Sequence, residues 1–327
     1  MKLASLREGG RDGSLLVVDR SGSRAERAAS VVPTLQRALE QWEGVAPRLE
    51  ACYQALCADP GRGFALDPRR LAAPLPRCYQ WLDASAYLSH VARVRKARGA
   101  ELPPALLSDP LMYQGGGDGL LGPREPLPLI DADWGLDFEA EVGVITGDVP
   151  MGASAREAAP YIRLLVLIND VSLRNLIPAE LAKGFGFLQG KPASALSPLA
   201  VTPDELGPSW DGRRLHLPLL THLNGTCVGR PDAGQGMQFD FPTLLSHAAR
   251  TRRLGAGTLL GSGTVSNEDE GLGCSCLVEK RVLEILHTGR ASTDYLRVGD
   301  RVRISMSDAA GHAIFGAIEQ EVIAWTA

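Results

Sequence analysis

The stretch Leu136-Asp-Phe-Glu-Ala-Glu-Val-Gly-Val-Ile145 decides how this chain is read. Its alternation fits a β-strand, on which successive side chains point to opposite faces. Glu139 and Glu141 then share one face, while Phe138, Ala140, Val142 and Val144 share the other and point into a core. Two carboxylates about 7 Å apart on a rigid, half-buried strand repel each other, and a hard divalent cation with oxygen ligands is the usual reason to tolerate that. The same alternation also fits an amphipathic strand whose outer face is merely solvated.

The next element sharpens the choice. Tyr161-Ile-Arg-Leu-Leu-Val-Leu-Ile-Asn-Asp-Val-Ser172 is an apolar run ending abruptly in Asn169 and Asp170, as a buried strand does when it delivers polar residues to a sheet edge. Asp170 reads either as a helix cap for 171–183 or as a third carboxylate beside Glu139 and Glu141. Three carboxylates plus waters suit Mg²⁺, Mn²⁺ or Ca²⁺. Cys52, Cys57, Cys78, Cys227, Cys274 and Cys276 lack the paired spacing of a zinc site, and no Cys/His cluster offers one. Cys274 and Cys276 read as small core residues.

At 327 residues and 45% hydrophobic content the chain can bury a large core, with room for a smaller companion domain. A formal charge of -4 gives no general basic field, and the clusters Arg93–Lys96 and Arg250–Arg253 are short, so nucleic acid is not an expected partner. No segment reaches the roughly 18 apolar residues of a membrane span and the N-terminus has no apolar signal core, so the expected location is the cytoplasm, with reduced thiols. Asn224-Gly-Thr226 reads as a hairpin turn.

Residues 1–75 form the expected small N-terminal domain and 76–327 the catalytic one. The first 20 residues look like a hairpin with a strand at Leu15–Val18, followed by a single helix over 32–58, where Leu35, Leu39, Trp42, Leu49, Cys52 and Leu56 repeat at helical spacing. The Pro/Gly/Asp-rich segment 59–76 reads as the linker. Short strands broken by Gly and Pro follow, with brief helices such as 241–253. Asp83, Tyr87 and His90 fall at i, i+4 and i+7, one face if that segment is helical, which makes His90 the best candidate general base and could bring Asp83 beside the metal.

These residues, with Asn169-Asp-Val-Ser-Leu-Arg174, Lys183-Gly-Phe-Gly-Phe-Leu-Gln-Gly-Lys191, Gly261-Ser-Gly-Thr-Val-Ser266 and Ile314-Phe-Gly-Ala317, resemble the fumarylacetoacetate hydrolase family, in that order and over about residues 80–325. The chain is most similar to the shorter bacterial members. The resemblance implies an α+β, β-dominated fold, a mixed β-sandwich roll with a small N-terminal domain, and a homodimer. It implies metal ligands at Asp83, Glu139, Glu141 and Asp170, and His90 activating water with Glu279 orienting it. Arg174 and Lys191 are implied to stabilise an oxyanion, and Tyr113 and Thr264 to contact substrate. Where larger members carry an oxyanion glutamine, this chain has Ile177, and Gln189 is a candidate substitute.

The implied reaction is metal-dependent hydrolysis of a carbon–carbon bond in a small β-diketo acid. The first candidate is fumarylacetoacetate, cleaved to fumarate and acetoacetate in tyrosine and phenylalanine breakdown, with Mg²⁺ as the expected cation and Ca²⁺ or Mn²⁺ as alternatives. Acylpyruvate hydrolysis, oxaloacetate decarboxylation and hydratase or isomerase chemistry use the same scaffold. A catalytically silent metal-binding protein is a further alternative. The loops around 91–125 are expected to read the substrate's tail.

Overall fold

The computed structural model describes residues 1–97 and 101–326; the remainder of the 91–125 stretch, residues 98–100, lies outside the described residues. The chain opens on the expected hairpin, β1 (Lys2–Leu6) and β2 (Ser14–Val18), continued by β3 (Arg24–Arg27). The stretch 32–58 is two helices, not one: α1 (Leu35–Glu40) and α2 (Trp42–Ala58), separated by Gln41 at φ −123°. Thr34 caps α1, its hydroxyl accepting from the Arg37 N–H. Leu35 and Leu39 of α1 and Val45 and Leu49 of α2 all bury in one cluster with Leu3, Leu15 and Val17 of the hairpin, so tertiary burial on the sheet outweighs the continuity of the helical stripe. Residues 59–76 run back along the same strands: β4 (Phe64–Ala65) pairs with β3, and Leu71 bridges to Leu6.

β5 (Trp81–Ala84) then enters the main sheet and α3 (Leu88–Ala97) follows it, before β6 (Met112–Gly115). Asp83 therefore sits on a strand, and the single helical face expected for Asp83, Tyr87 and His90 does not form. Pairing of β5 with a later strand decides this segment over its local helical spacing. Tyr87 is a core aromatic whose hydroxyl donates to the Ala233 carbonyl at 2.6 Å.

β7 (Leu127–Leu129) precedes β8 (Leu136–Asp137) and β9 (Ala140–Thr146). The stretch 136–145 is thus broken at Phe138 and Glu139. After α4 (Ala155–Ala158), β10 (Ile162–Asn169) runs antiparallel to β9, β11 (Ser172–Leu173) pairs with β8, and α5 (Ile177–Leu181) follows. β9 is buried on both faces rather than half-buried: Ala140, Val142 and Val144 pack into one core cluster and Ile145 into another, while Glu141 is fully buried.

The chain continues through β12 (Ala195–Leu196), β13 (Ala200–Val201), β14 (Leu220–Leu223), β15 (Thr226–Gly229) and α6 (Phe241–Ala248). It ends with β16 (Leu259–Gly261), α7 (Leu277–Thr288), β17 (Arg301–Ser307) and β18 (Ala313–Ala324). The Asn224-Gly225 turn joins β14 to β15 with φ of 51° and 80°, the left-handed pair that a two-residue hairpin requires. Eleven strands form the large sheet, ordered β4-β3-β2-β1-β13-β10-β9-β16-β5-β6 with β12 paired to β10. Five form a second, β15-β14-β17-β18-β7. Ile304, Phe315 and Ile318 of the second sheet share one hydrophobic core with Val142, Val144 and Leu165 of the first. The fold is accordingly α+β and strand-dominated, with a small N-terminal unit whose β1 pairs with β13. Among the described residues no helix is long and apolar enough to cross a membrane.

Candidate active site

Adjacent strands of the large sheet bring acids together at one end. β5 supplies Asp83 and β9 supplies Glu141, with β16 between them; Glu139 comes from the break before β9, and Asp170 from the residue after β10. Carboxylate oxygens of these four residues all lie within 4.8 Å of one another, and all four are buried. Glycine at position 261 makes the convergence possible: a Cβ there would stand 2.7 Å from both Asp83 Oδ1 and Glu141 Oε2.

Asp170 does not cap a helix. Its Oδ1 accepts from Ser194 Oγ at 2.7 Å, and its Oδ2 accepts from Tyr113 Oη at 2.8 Å and Lys191 Nζ at 2.5 Å. Lys191 also donates to Glu139 Oε2 at 2.6 Å. Arg174 does not pair with Asp170 four residues back, because residues 172–173 are strand. Its Nε donates to Asp137 Oδ2 at 2.8 Å and its Nη2 to Glu139 Oε1 at 2.6 Å. Asp137 in turn accepts from the Leu277 and Val278 N–H groups that open α7, tying β8 to that helix.

The four acids are unevenly served. Glu139 is held well below the ordinary carboxylate range: burial opposes this, but Arg174 and Lys191 outweigh it. Burial lowers Lys191 and Arg174, but Asp170 and Glu139 raise Lys191, as Glu139 and Asp137 raise Arg174, and the carboxylates prevail in both. Burial pushes Asp83 and Glu141 well above that range, reinforced by the charge of Asp170 on Asp83 and of Asp83 on Glu141. Asp170 is raised as well, again chiefly by burial. Neither oxygen of Glu141 receives a hydrogen bond from outside the cluster, and among the described residues the one group within its reach is the Asp83 carboxyl. A fully buried carboxylate whose only neighbours in reach are other acids fits a divalent cation with oxygen ligands.

Beside this cluster, α3 and α7 bring His90 and Glu279 together. His90 Nδ1 lies 2.6 Å from Glu279 Oε2, and Glu279 is fully buried. Arg93, which the sequence shows only as the start of a short basic cluster, donates to Glu279 Oε1 at 2.6 Å. Ser266 Oγ donates to the same oxygen at 2.8 Å. Glu279 stays below the usual carboxylate range, burial opposing and His90, Ser266 and Arg93 prevailing. Arg93 stands three residues after His90, so the helical spacing that places both on one face was the available signal. The fold also gathers His90, Cys276 and Glu279 within 4.8 Å, a grouping that cysteine spacing does not show because His90 is far in sequence from the other two.

Asp83 and Glu139 of the first cluster and His90 of the second line one cavity of about 220 Å³, together with Tyr113, Thr264, Ile177 and Phe187. Phe187 meets Tyr113 edge-on, with ring centroids 5.2 Å apart. Gln189 is not among the lining residues. Glu180 accepts from the N–H groups of Leu188, Gln189 and Gly190, which pins the loop and leaves the Gln189 side chain in solvent.

A family model for the fumarylacetoacetate (FAA) hydrolase C-terminal region matches residues 80–323, and one for fumarylacetoacetase N-terminal domain 2 matches residues 1–77. The 2,4-didehydro-3-deoxy-L-rhamnonate hydrolase of Sphingomonas sp. (strain SKA58) is 29% identical over 167 residues, which cover 50% of this chain and 55% of that protein. The chain thus spans about half the length of that curated relative. Among solved structures, a fumarylacetoacetate hydrolase from Exiguobacterium antarcticum superposes with a TM-score of 0.67 at 19% identity, covering 99% of this chain and 100% of that one. Maleylpyruvate hydrolase from Sphingobium sp. SYK-6, solved with manganese(II) and pyruvate, gives 0.66 at 15% identity with full coverage of both chains (100%). At these identities the structural likeness speaks for the fold.

Proposed function

The chain belongs to the fumarylacetoacetate hydrolase family, and we propose that it hydrolyses a carbon–carbon bond in a small β-diketo acid in a metal-dependent reaction. The observation that carries this reading is a buried four-acid cluster beside a histidine–carboxylate dyad, with Asp83, Glu139 and His90 lining one cavity. Asp83, Glu139, Glu141 and Asp170 would hold the cation, Mg²⁺ in the first instance, with Mn²⁺ and Ca²⁺ sharing the same ligand chemistry. When bound, such a cation orients the substrate's oxygens and stabilises the enolate leaving group as a Lewis acid. The manganese(II) and pyruvate in the maleylpyruvate hydrolase structure support a divalent cation and a 2-oxo acid.

The protein's own groups perform the proton and charge work. Glu279 engages Nδ1 of His90, which leaves Nε2 to take a proton from water. The water oxygen bonds to the carbonyl carbon, and the carbonyl oxygen becomes an alkoxide. Lys191 Nζ lines the cavity and offers a cation to that alkoxide. Arg174 lines it too; its Nε and Nη2 hold Asp137 and Glu139, and its remaining N–H groups, like the third of Lys191, are available to the same alkoxide. As the alkoxide collapses to a carboxylic acid, the carbon–carbon bond breaks and its electron pair stays on the enolate. The proton held by His90 returns to the enolate carbon. Tyr113 and Thr264 sit where they can contact substrate.

Fumarylacetoacetate is the first substrate to test. A second reading, an acylpyruvate with an uncharged tail, is favoured by the apolar wall of Ile177, Phe187, Val94 and Val278 in the same cavity. We include in the proposal a cytoplasmic homodimer, which light scattering on the purified protein tests for its oligomeric part. The deciding experiment follows the ultraviolet absorbance of each diketo acid with protein plus Mg²⁺, with EDTA, and with His90→Ala. Decay that requires both the metal and His90 is the expected result. No decay of either compound overturns the reading.

A further inference from the structure

Arg93 is the member of the dyad's surroundings that the reaction as drawn leaves without work. Its side chain is 11% exposed, and three contacts hold it. Nη1 donates to Glu279 Oε1 at 2.6 Å and to Ser266 Oγ at 3.0 Å, and Nη2 donates to the Glu268 carbonyl at 2.9 Å. Ser266 Oγ donates to Glu279 Oε1 and is itself 2.9 Å from Ser89 Oγ. The two carboxylate oxygens of Glu279 are therefore divided, Oε1 to Arg93 and Ser266, Oε2 to His90.

A buried carboxylate demands a counter-charge. If His90 were the only candidate, the demand would be met by an imidazolium, which has no lone pair left to accept a proton from water. The guanidinium is charged at every relevant pH and already stands on Glu279. We propose that Arg93 is a positioning residue for the base: by neutralising Glu279 it leaves His90 as a neutral imidazole, protonated at Nδ1 and free at Nε2. The groups facing His90 are Glu279 and Cys276 at the start of α7, Glu139 across the cavity and Arg93 on its own helix. His90's one hydrogen bond among the described residues is to Glu279, not to the four clustered acids. The inference rests on His90 being the base of the proposed hydrolysis, but its test does not.

The test uses metal-free, substrate-free full-length protein labelled with ¹⁵N-histidine at pH 7.5, with His90 assigned by its absence in His90→Gln. Wild type is expected to show a neutral ring with the proton on Nδ1. In Arg93→Gln the fraction of His90 carrying both ring protons is expected to rise about tenfold or more, the usual consequence of removing an opposing charge at this range. Arg93→Lys keeps the charge but cannot span Glu279, Ser266 and Glu268 together, so a smaller rise is expected. A doubly protonated His90 in wild type overturns the proposal outright, as does an unchanged spectrum in Arg93→Gln. If that variant does not fold, wild type against Arg93→Lys decides, and identical spectra overturn it. With a hydrolysed diketo acid in hand, Arg93→Gln lowers kcat about tenfold at pH 7.5 with KM little changed. Should no diketo acid be hydrolysed, the spectra still judge Arg93 on their own.

Discussion

The acid cluster on the large sheet and the Arg93–Glu279–His90 set between α3 and α7 are both buried and charged, yet they are balanced differently. In the second, both oxygens of the single carboxylate are hydrogen-bonded and two basic side chains face it. In the first, Glu141 has no donor from outside the cluster, and Lys191 and Arg174 reach only Glu139 and Asp170 of the four clustered acids. Buried polar groups are satisfied almost everywhere in folded proteins, so the difference separates a finished device from a socket. The helical set is balanced by what the chain supplies, whereas the strand cluster has the donor set that fits a divalent cation.

The largest effect should come from emptying the socket. Asp170→Ala removes a ligand together with the anchor of Lys191, Tyr113 and Ser194, and should abolish Mg²⁺ binding by isothermal titration and lower activity by about a thousandfold or more. Retained Mg²⁺ affinity would move the metal elsewhere. Next, His90→Ala should cut kcat by about a hundredfold to ten-thousandfold while leaving metal affinity intact, since only proton transfer is lost. A parallel loss of metal binding would merge the two regions into one.

The contrast is drawn most finely by one substitution made in each region and read by chemical denaturation without metal. Glu279→Gln strands Arg93 beside a neutral amide and should destabilise the protein by about 3 kcal/mol. Glu141→Gln relieves repulsion among the acids and should leave the metal-free protein as stable or more so, while weakening stabilisation by Mg²⁺. Equal losses from both would erase the distinction.

The smallest effect is in pH. Burial raises Asp83, Glu141 and Asp170 in the folded, metal-free protein above their unfolded values, so folding favours their protonated forms. That contribution is complete below the unfolded range near pH 4 and is lost as pH rises toward the folded values. Between pH 5 and 8 the melting temperature without metal should therefore fall, and added Mg²⁺ should restore more of it at pH 8 than at pH 5. Glu279 and Glu139, shifted downward, act only below that window. A metal-free melting temperature that climbs over the same range would contradict the burial argument.

Much of both regions was legible beforehand, for unequal reasons. Glu139, Glu141 and Asp170 stand out because a carboxylate inside an apolar strand pattern breaks a local rule. His90 with Glu279 could be named only through family resemblance, since 189 residues separate them. Arg93 was passed over because an arginine in a basic helical segment ordinarily faces water, and only α7 packed on α3 gives it a buried partner. Gln189 was a candidate donor by residue type, but with Glu180 holding three backbone N–H groups of that loop it is Phe187 that lines the cavity while Gln189 is exposed.

The sequence by itself determined the elements whose residues answer to their near neighbours: the first hairpin, the Asn224-Gly225 turn, the apolar run of β10 and the acid-bearing strand. Side-chain alternation, left-handed turn residues and hydrophobic runs act over a few residues, so they can be read from a few residues. Tertiary structure alone decided that Asp83 lies on a strand, that helix 32–58 divides at Gln41, and that β8 parts from β9 at Phe138 and Glu139. It alone decided which acids are left without donors. Those outcomes depend on pairing and burial between distant segments, where a ladder partner or a lost solvation shell outweighs the local preferences that sequence displays.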